Sequence, residues 1–103
     1  MVIIRDISEK IGEEISDARA YIKMALENRE KYPELGKLLY NLSIEEMDHM
    51  SRLHSAVADM IEKYRKEKGD PPADMQAVYD YLHKKHIDAA AEVKTLQAMY
   101  KEG

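Results

Sequence analysis

Apolar residues recur every three or four positions along almost the whole chain, the spacing of one face of an α-helix. The first such stripe is Ile7, Ile11, Glu14, Ala18, Tyr21 and Ala25, widened by Ile15, Ile22 and Leu26. Asp6 and Glu9 form an Asp-x-x-Glu capping pattern ahead of it, which predicts a helix from about residue 7 to Asn28. Tyr32-Pro33 interrupts the pattern and restarts it, because proline disfavours helix in the residue before it but is tolerated at the first helical position. A second helix is expected from Pro33 towards Lys68, with the stripe Leu39, Leu42, Glu46, His49, Leu53, Ala56 and Met60. Gly69-Asp70-Pro71-Pro72 supplies a stop and a new start. The third helix then runs from about Pro71 to Lys101, with the stripe Met75, Val78 or Tyr79, Leu82, His86, Ala89, Val93, Leu96 and Tyr100. No segment alternates with the period of a strand. Residues 1–103 therefore read as one all-α domain of three long antiparallel helices, since only lateral packing hides stripes of this length.

Three residues interrupt the stripes where apolar side chains belong: Glu14 on the first helix, and Glu46 and His49 on the second. Glu45, Asp48 and Arg52 fall off the stripe and read as a solvated face. If the chain reverses near residues 31 and 32, Glu14 lies about 17 residues before the turn and Glu46 and His49 about 14 to 18 after it, level to within a helical turn. Glu92, on the edge of the third stripe, is expected at the same height, beside Ala89, Ala90 and Ala91. His86 comes opposite His54, about 6 Å along the axis from the level of Glu46 and His49, which makes it the weaker candidate for the same site; by itself it reads as a core histidine paired with His54 or capped by a backbone carbonyl. His83 and Lys84-Lys85 read as solvated.

Composition sharpens the chemistry. There is no cysteine among the 103 residues, so a metal would have to be held by oxygen and imidazole. Sixteen Lys and Arg against twenty Asp and Glu, of mixed sign along the chain, argue against a nucleic-acid or anionic-membrane surface. The apolar start from Met1 to Ile4 meets Arg5 and Asp6 too soon for a signal peptide, and no apolar run approaches the roughly 20 residues of a membrane span. A cytoplasmic protein is expected. With no Phe or Trp, the core must be Leu, Ile, Ala and Met, the seven methionines acting as gap-fillers. Two buried carboxylates without compensation would cost several kcal/mol, roughly what a domain of this size has to spare. Glu-x-x-His places both side chains on one helical face, and carboxylate with imidazole suits iron, manganese or zinc.

Glu14, Tyr21 seven residues on, and Glu46-Met47-Asp48-His49 on the next antiparallel helix together resemble one half of a ferritin-like di-iron bundle, as in rubrerythrins and the short encapsulated ferritins. The likeness covers roughly residues 6 to 65. It implies Glu14 as a metal ligand, Glu46 as a carboxylate able to bridge two irons, His49 as a nitrogen ligand, and Tyr21 as a hydrogen-bond donor to a carboxylate, with Glu46 and Tyr21 the catalytic pair of a ferroxidase or oxidant-detoxifying protein. "AEVKTLQAMY", from Ala91 to Tyr100, is faintly similar to a rubrerythrin third helix and would bring in Glu92 as a ligand. A complete bundle of this kind has four helices and two Glu-x-x-His motifs. This chain has one motif, so the resemblance implies a homodimer or higher homo-oligomer in which two copies complete the four-helix core. The cysteine module of rubrerythrins is absent.

A second class of function stands beside the first. The same polar residues could fix helix register and pairing in a metal-free helical interaction or structural module, or hold zinc in a structural site.

Overall fold

The computed structural model describes residues 2–103. It is an all-α bundle of α1 (Val2–Asn28), α2 (Pro33–Lys68) and α3 (Ala73–Glu102), with no strand among the described residues. Contacts between helices give the directions. Ser43 with Ala18 and His49 with Glu14 run α2 antiparallel to α1, whereas Gly12 with His86 and Arg19 with Glu92 run α3 parallel to α1. Both α2 and α3 lean chiefly on α1, and they touch one another sparingly.

The helix boundaries follow local chemistry, with two corrections. α1 begins at Val2, earlier than the capping pattern at Asp6 implies. Ile4 is fully buried and continues the line Ile11, Ile15, Ala18, Ile22 and Ala25 upstream, so burying one more apolar turn outweighs the cap. Asp6 lies in the helix beside Arg5, at 3.8 Å. α3 begins at Ala73 and not at Pro71, because Pro71 precedes another proline and is barred from helical geometry. Pro72 is the N-cap, and its carbonyl accepts from the Gln76 N–H at 3.0 Å. At the other turn Tyr32 holds the extended conformation that Pro33 demands, with Pro33 in the first turn of α2. Gly69 ends α2 at φ 82°, in the left-handed region, and its N–H closes on the Arg65 carbonyl at 2.9 Å.

The core has two parts. Ile11, Ile15, Ala18, Met47, Ala90 and Val93 form one cluster where all three helices meet. Ile22, Ala25 and Leu39 form the other, near the α1–α2 turn, flanked by Tyr40 and Tyr100 stacked at 4.8 Å. Met47 fills the core as expected of a methionine, whereas Met24 and Met99 are exposed.

The buried face of α2 is turned by about one residue from the expected stripe. Its buried residues are Gly36, Leu39, Ser43 and Met47, while Leu42, Glu46 and Leu53 are only half-buried. Small size explains the shift. Gly36 lets α2 close on α1, since a Cβ there would stand 3.3 Å from Arg29 Cα and 3.4 Å from the Ala25 carbonyl. Ser43, 0 % exposed, donates to the Ala18 carbonyl at 2.8 Å and accepts from Gln97 Nε2 at 2.9 Å. A polar residue thus occupies the three-helix contact with its hydrogen bonds made. The face carrying Leu42, Glu46 and His49 is left along the open side of the α1–α2 seam. On α3 the expected stripe holds, with Tyr79 rather than Val78 turned inward and Ala90 and Gln97 the buried additions.

Candidate metal centre

Glu14 stands in the middle of α1, on the stripe that packs against α2, and is only 8 % exposed. Glu46 and His49, one turn apart on α2, reach it across the seam. One ligand atom from each of the three lies within 4.8 Å of the others. His49 Nδ1 is 3.4 Å from Glu14 Oε2 and 3.8 Å from Glu46 Oε1. The level of the three residues is therefore the one their distances from the turn imply. Burial falls off across the group: Glu14 is buried, Glu46 half-buried, and the His49 side chain 53 % exposed.

Two carboxylates facing each other at the edge of a core cannot both stay ionised without cost. Glu46 is pushed up to about 7, first because its protonated form donates a hydrogen bond to Glu14, then by burial and by the Glu14 charge. Glu14 is held below the usual carboxylate range, first by accepting that bond, against the opposing effect of burial and with help from His49 and Lys10. Lys10, one turn before Glu14, places Nζ 3.6 Å from Glu14 Oε1. This partner was not among the expected site residues, although its i, i+4 spacing to Glu14 is visible in the chain. Even so, Glu14 Oε2 is buried with no well-formed hydrogen bond, the His49 imidazole being its nearest partner at 3.4 Å. A proton shared with Glu46, the His49 ring or a cation can face it.

A cation fits the donor set. With bonds of about 2.1 Å a tetrahedral ion spaces its ligands ~3.4 Å apart, the separation His49 Nδ1 and Glu14 Oε2 already show, while the widest pair, within 4.8 Å, would have to close by up to ~1.4 Å. Two carboxylates and an imidazole are also the donor types that suit iron, manganese and zinc.

The other expected site residues lie elsewhere. Glu92 is 51 % exposed in its side chain and pairs with Arg19 of α1 at 2.9 Å, outside the Glu14 group. Tyr21, half-buried, packs against the Ile22, Ala25 and Leu39 cluster. His86 is half-buried on α3, its Nε2 3.6 Å from where a Gly12 Cβ would stand. It is held below the ordinary imidazole range, mainly by burial and then by the nearby His54, His83 and Lys85. His54 does not bond His86. Its Nε2 meets His83 Nδ1 at 3.1 Å, a pairing the sequence reading did not foresee because it left His83 in solvent.

Compared with known proteins, the chain matches no family model, no curated protein and no solved structure. No helix among the described residues is long and apolar enough to cross a membrane.

Proposed function

We propose that the protein is a non-haem iron protein, a ferritin-like half-bundle whose Glu14, Glu46 and His49 hold iron and whose second copy completes a dinuclear centre for ferrous iron oxidation or oxidant removal. The observation that carries this reading is the convergence of the three side chains on one spot, beside a buried Glu14 oxygen that makes no well-formed hydrogen bond. Bound iron would supply the redox chemistry, passing electrons to oxygen or peroxide.

The chain's own part is binding and proton handling. Glu46 must release its proton before its second oxygen is free for a cation, so loading expels a proton at that atom. Lys10, 3.6 Å from Glu14 Oε1, balances the Glu14 charge and would be displaced from that oxygen by a bound cation. His49, the most exposed of the three, stands at the solvent side of the group, where an incoming ion would meet it first.

A second copy of the chain is the partner this reading requires. Leu35, Leu38 and Leu42 share the helical face of Glu46 and His49, and Leu38 is 54 % exposed. Ile3, exposed on α1, lies 11 residues before Glu14, about three turns away on nearly the same helical face. An apolar strip thus borders a charged centre on a face that nothing among the described residues covers. Two-fold pairing over it would double the ligands and bury the strip.

Anaerobic titration with ferrous iron tests the reading, followed by exposure to air. Near-stoichiometric uptake and a rise in near-ultraviolet absorption of ferric iron are expected, both lost in E46A and H49A. Unchanged absorption and unchanged melting temperature on adding ferrous iron to the wild-type protein would reject it. That outcome would favour a metal-free module in which Lys10, His49 and a shared proton are the whole of the charge compensation, an arrangement that the Lys10 contact at 3.6 Å independently favours.

A further inference from the structure

Burial along α3 is uneven. Its buried residues, Ala90, Val93 and Gln97, all lie in the second half, and in the half that begins at Ala73 even Tyr79 and Leu82 are only half-buried. Two of the ties that hold this first half are imidazoles. His83 meets His54 of α2, Nδ1 to Nε2 at 3.1 Å with the rings stacked at 4.9 Å between centroids. His86, one turn later, lies against Gly12 of α1. Beneath them the three helices enclose a cavity of about 560 Å³, floored by Ile4, Ile11, Val57 and Ile61.

A hydrogen bond between two imidazoles needs a lone pair on one of them. The pair therefore survives with no added proton or with one, whereas two imidazolium rings offer only N–H donors and repel each other across 3.1 Å. His86 adds to this in the same direction. Burial holds it below the ordinary 6.5, with His54, His83 and Lys85 contributing, so its docking is fully present above that value and weakens as pH falls through the lowered one.

The charges facing the three rings do not offset their protonation. α2 contributes Glu62 and Arg65, α3 contributes Asp80, Lys85 and Lys94 with the Tyr79 phenol, and α1 contributes Arg5, Glu9 and Glu13 across the seam from His86. Carboxylates and cations balance in number. Gln76 occupies two of them, accepting from Arg65 and donating to Asp80, each at 2.9 Å. Among the described residues the imidazole ion pairs are those of His49.

We propose that residues 73–86 of α3 form a pH-released arm: neutral His54, His83 and His86 dock it on α2 and α1, and mild acid frees it and uncovers the apolar floor beneath. The second half of α3 stays anchored, where Gln97 bonds Ser43 and Tyr100 stacks on Tyr40. The arm is independent of the iron reading, since no residue of the carboxylate group takes part. Glu46 acts in the opposite sense, its contribution to stability growing as pH falls through about 7, and Glu14 loses its contribution only below the ordinary carboxylate range.

Paired nitroxide labels test the arm in a chelating buffer. The chain has no cysteine, so labels attach only at S55C on α2 and Y81C on α3, both exposed. A single short distance is expected at about pH 7.5, and at about pH 5 a longer population about tenfold larger than at the higher pH, reversible on neutralisation. A second labelled pair, K23C with K37C across the α1–α2 turn, should keep its distance throughout. In H54Q/H83Q/H86Q, checked for helix by circular dichroism, the S55C–Y81C distances should be the same at both pH values, because glutamine does not titrate. Wild-type distances unchanged by pH, or a triple variant that opens in acid as the wild type does, would overturn the arm. So would loss of the K23C–K37C distance in acid, which would mean that the whole bundle unfolds.

Discussion

Gln97 of α3 reaches through the buried middle of the bundle to donate a hydrogen bond to Ser43 Oγ of α2 at 2.9 Å, and the Ser43 hydroxyl in turn donates to the Ala18 carbonyl of α1 at 2.8 Å. One short polar chain therefore ties all three helices at a single level. A buried amide accepts no such position unless its partner is present, so this chain sets register as well as adding stability.

Replacing Ser43 by Ala removes the acceptor for Gln97 and is expected to cost about 1–3 kcal/mol, since it leaves a buried polar group unpaired. Urea unfolding monitored by circular dichroism measures it. The double variant S43A/Q97L, which removes both partners, should recover part of the loss. Equal stability of S43A and the wild type would show that the bond contributes nothing.

How much of this was legible in the chain differs by element. The three helices, their order and the common height of Glu14, Glu46 and His49 follow from periodicity and two proline-marked turns, because a long stripe and a short turn leave little freedom. The buried face of α2 did not follow. Hydrophobicity ranks Leu42 above Ser43, but packing against two helices at once selects the small residue whose hydroxyl finds partners. Glu92 was placed beside the ligands by its expected height, whereas in the structure it makes a surface ion pair with Arg19 on the neighbouring helix, a relation that no one-helix pattern contains.

The carboxylate pair predicts a pH dependence of the metal-free protein. Glu46 is raised from 4.5 to about 7 on folding, so its contribution is fully present below the unfolded value and is lost as pH rises through about 7. Glu14 is lowered, so its contribution is present above its unfolded value and is lost as pH falls through the depressed one. Stability of the apoprotein should therefore decline between about pH 5.5 and pH 8. In E46Q, which keeps a donor to Glu14 but cannot ionise, that decline should flatten. Thermal melts across this range in a chelating buffer test it, and an identical slope in E46Q would refute the assignment to Glu46.

The close approach at Gly36 gives a packing prediction. A Cβ there would stand 3.2 Å from Tyr100 Oη and 3.3 Å from Arg29 Cα, and the latter is backbone that cannot step aside. G36L should therefore lose about 1–3 kcal/mol by overpacking, despite leucine's better helix propensity. A chevron or equilibrium urea titration measures the loss, and a gain in stability would mean that the hairpin is looser than these distances indicate.

Leu38 tests the proposed pairing without touching the ligands. As an exposed residue it has little role within one chain, so L38K should fold normally. Light scattering should show the variant as a monomer where the wild type is a dimer, with weaker retention of iron. A wild-type monomer that holds two irons tightly would exclude shared sites.

The unequal helix lengths have a mechanical consequence. α2 has 36 residues against 27 in α1, and the molecule is 55 Å long, close to the span of α2 alone. With Glu14 level with Glu46 and His49, the last turns of α2 project past Val2 at the start of α1 and, among the described residues, have only α3 beside them, where Arg65 bonds Gln76. The opposite end is clamped by the α1–α2 turn, the Tyr40–Tyr100 stack and Arg29 on the final carbonyls of α3. Amide protons near Tyr64 should thus exchange with solvent far sooner than those near Tyr40, so that opening starts at the histidine-bearing end and the carboxylate group sits midway along a gradient of stiffness.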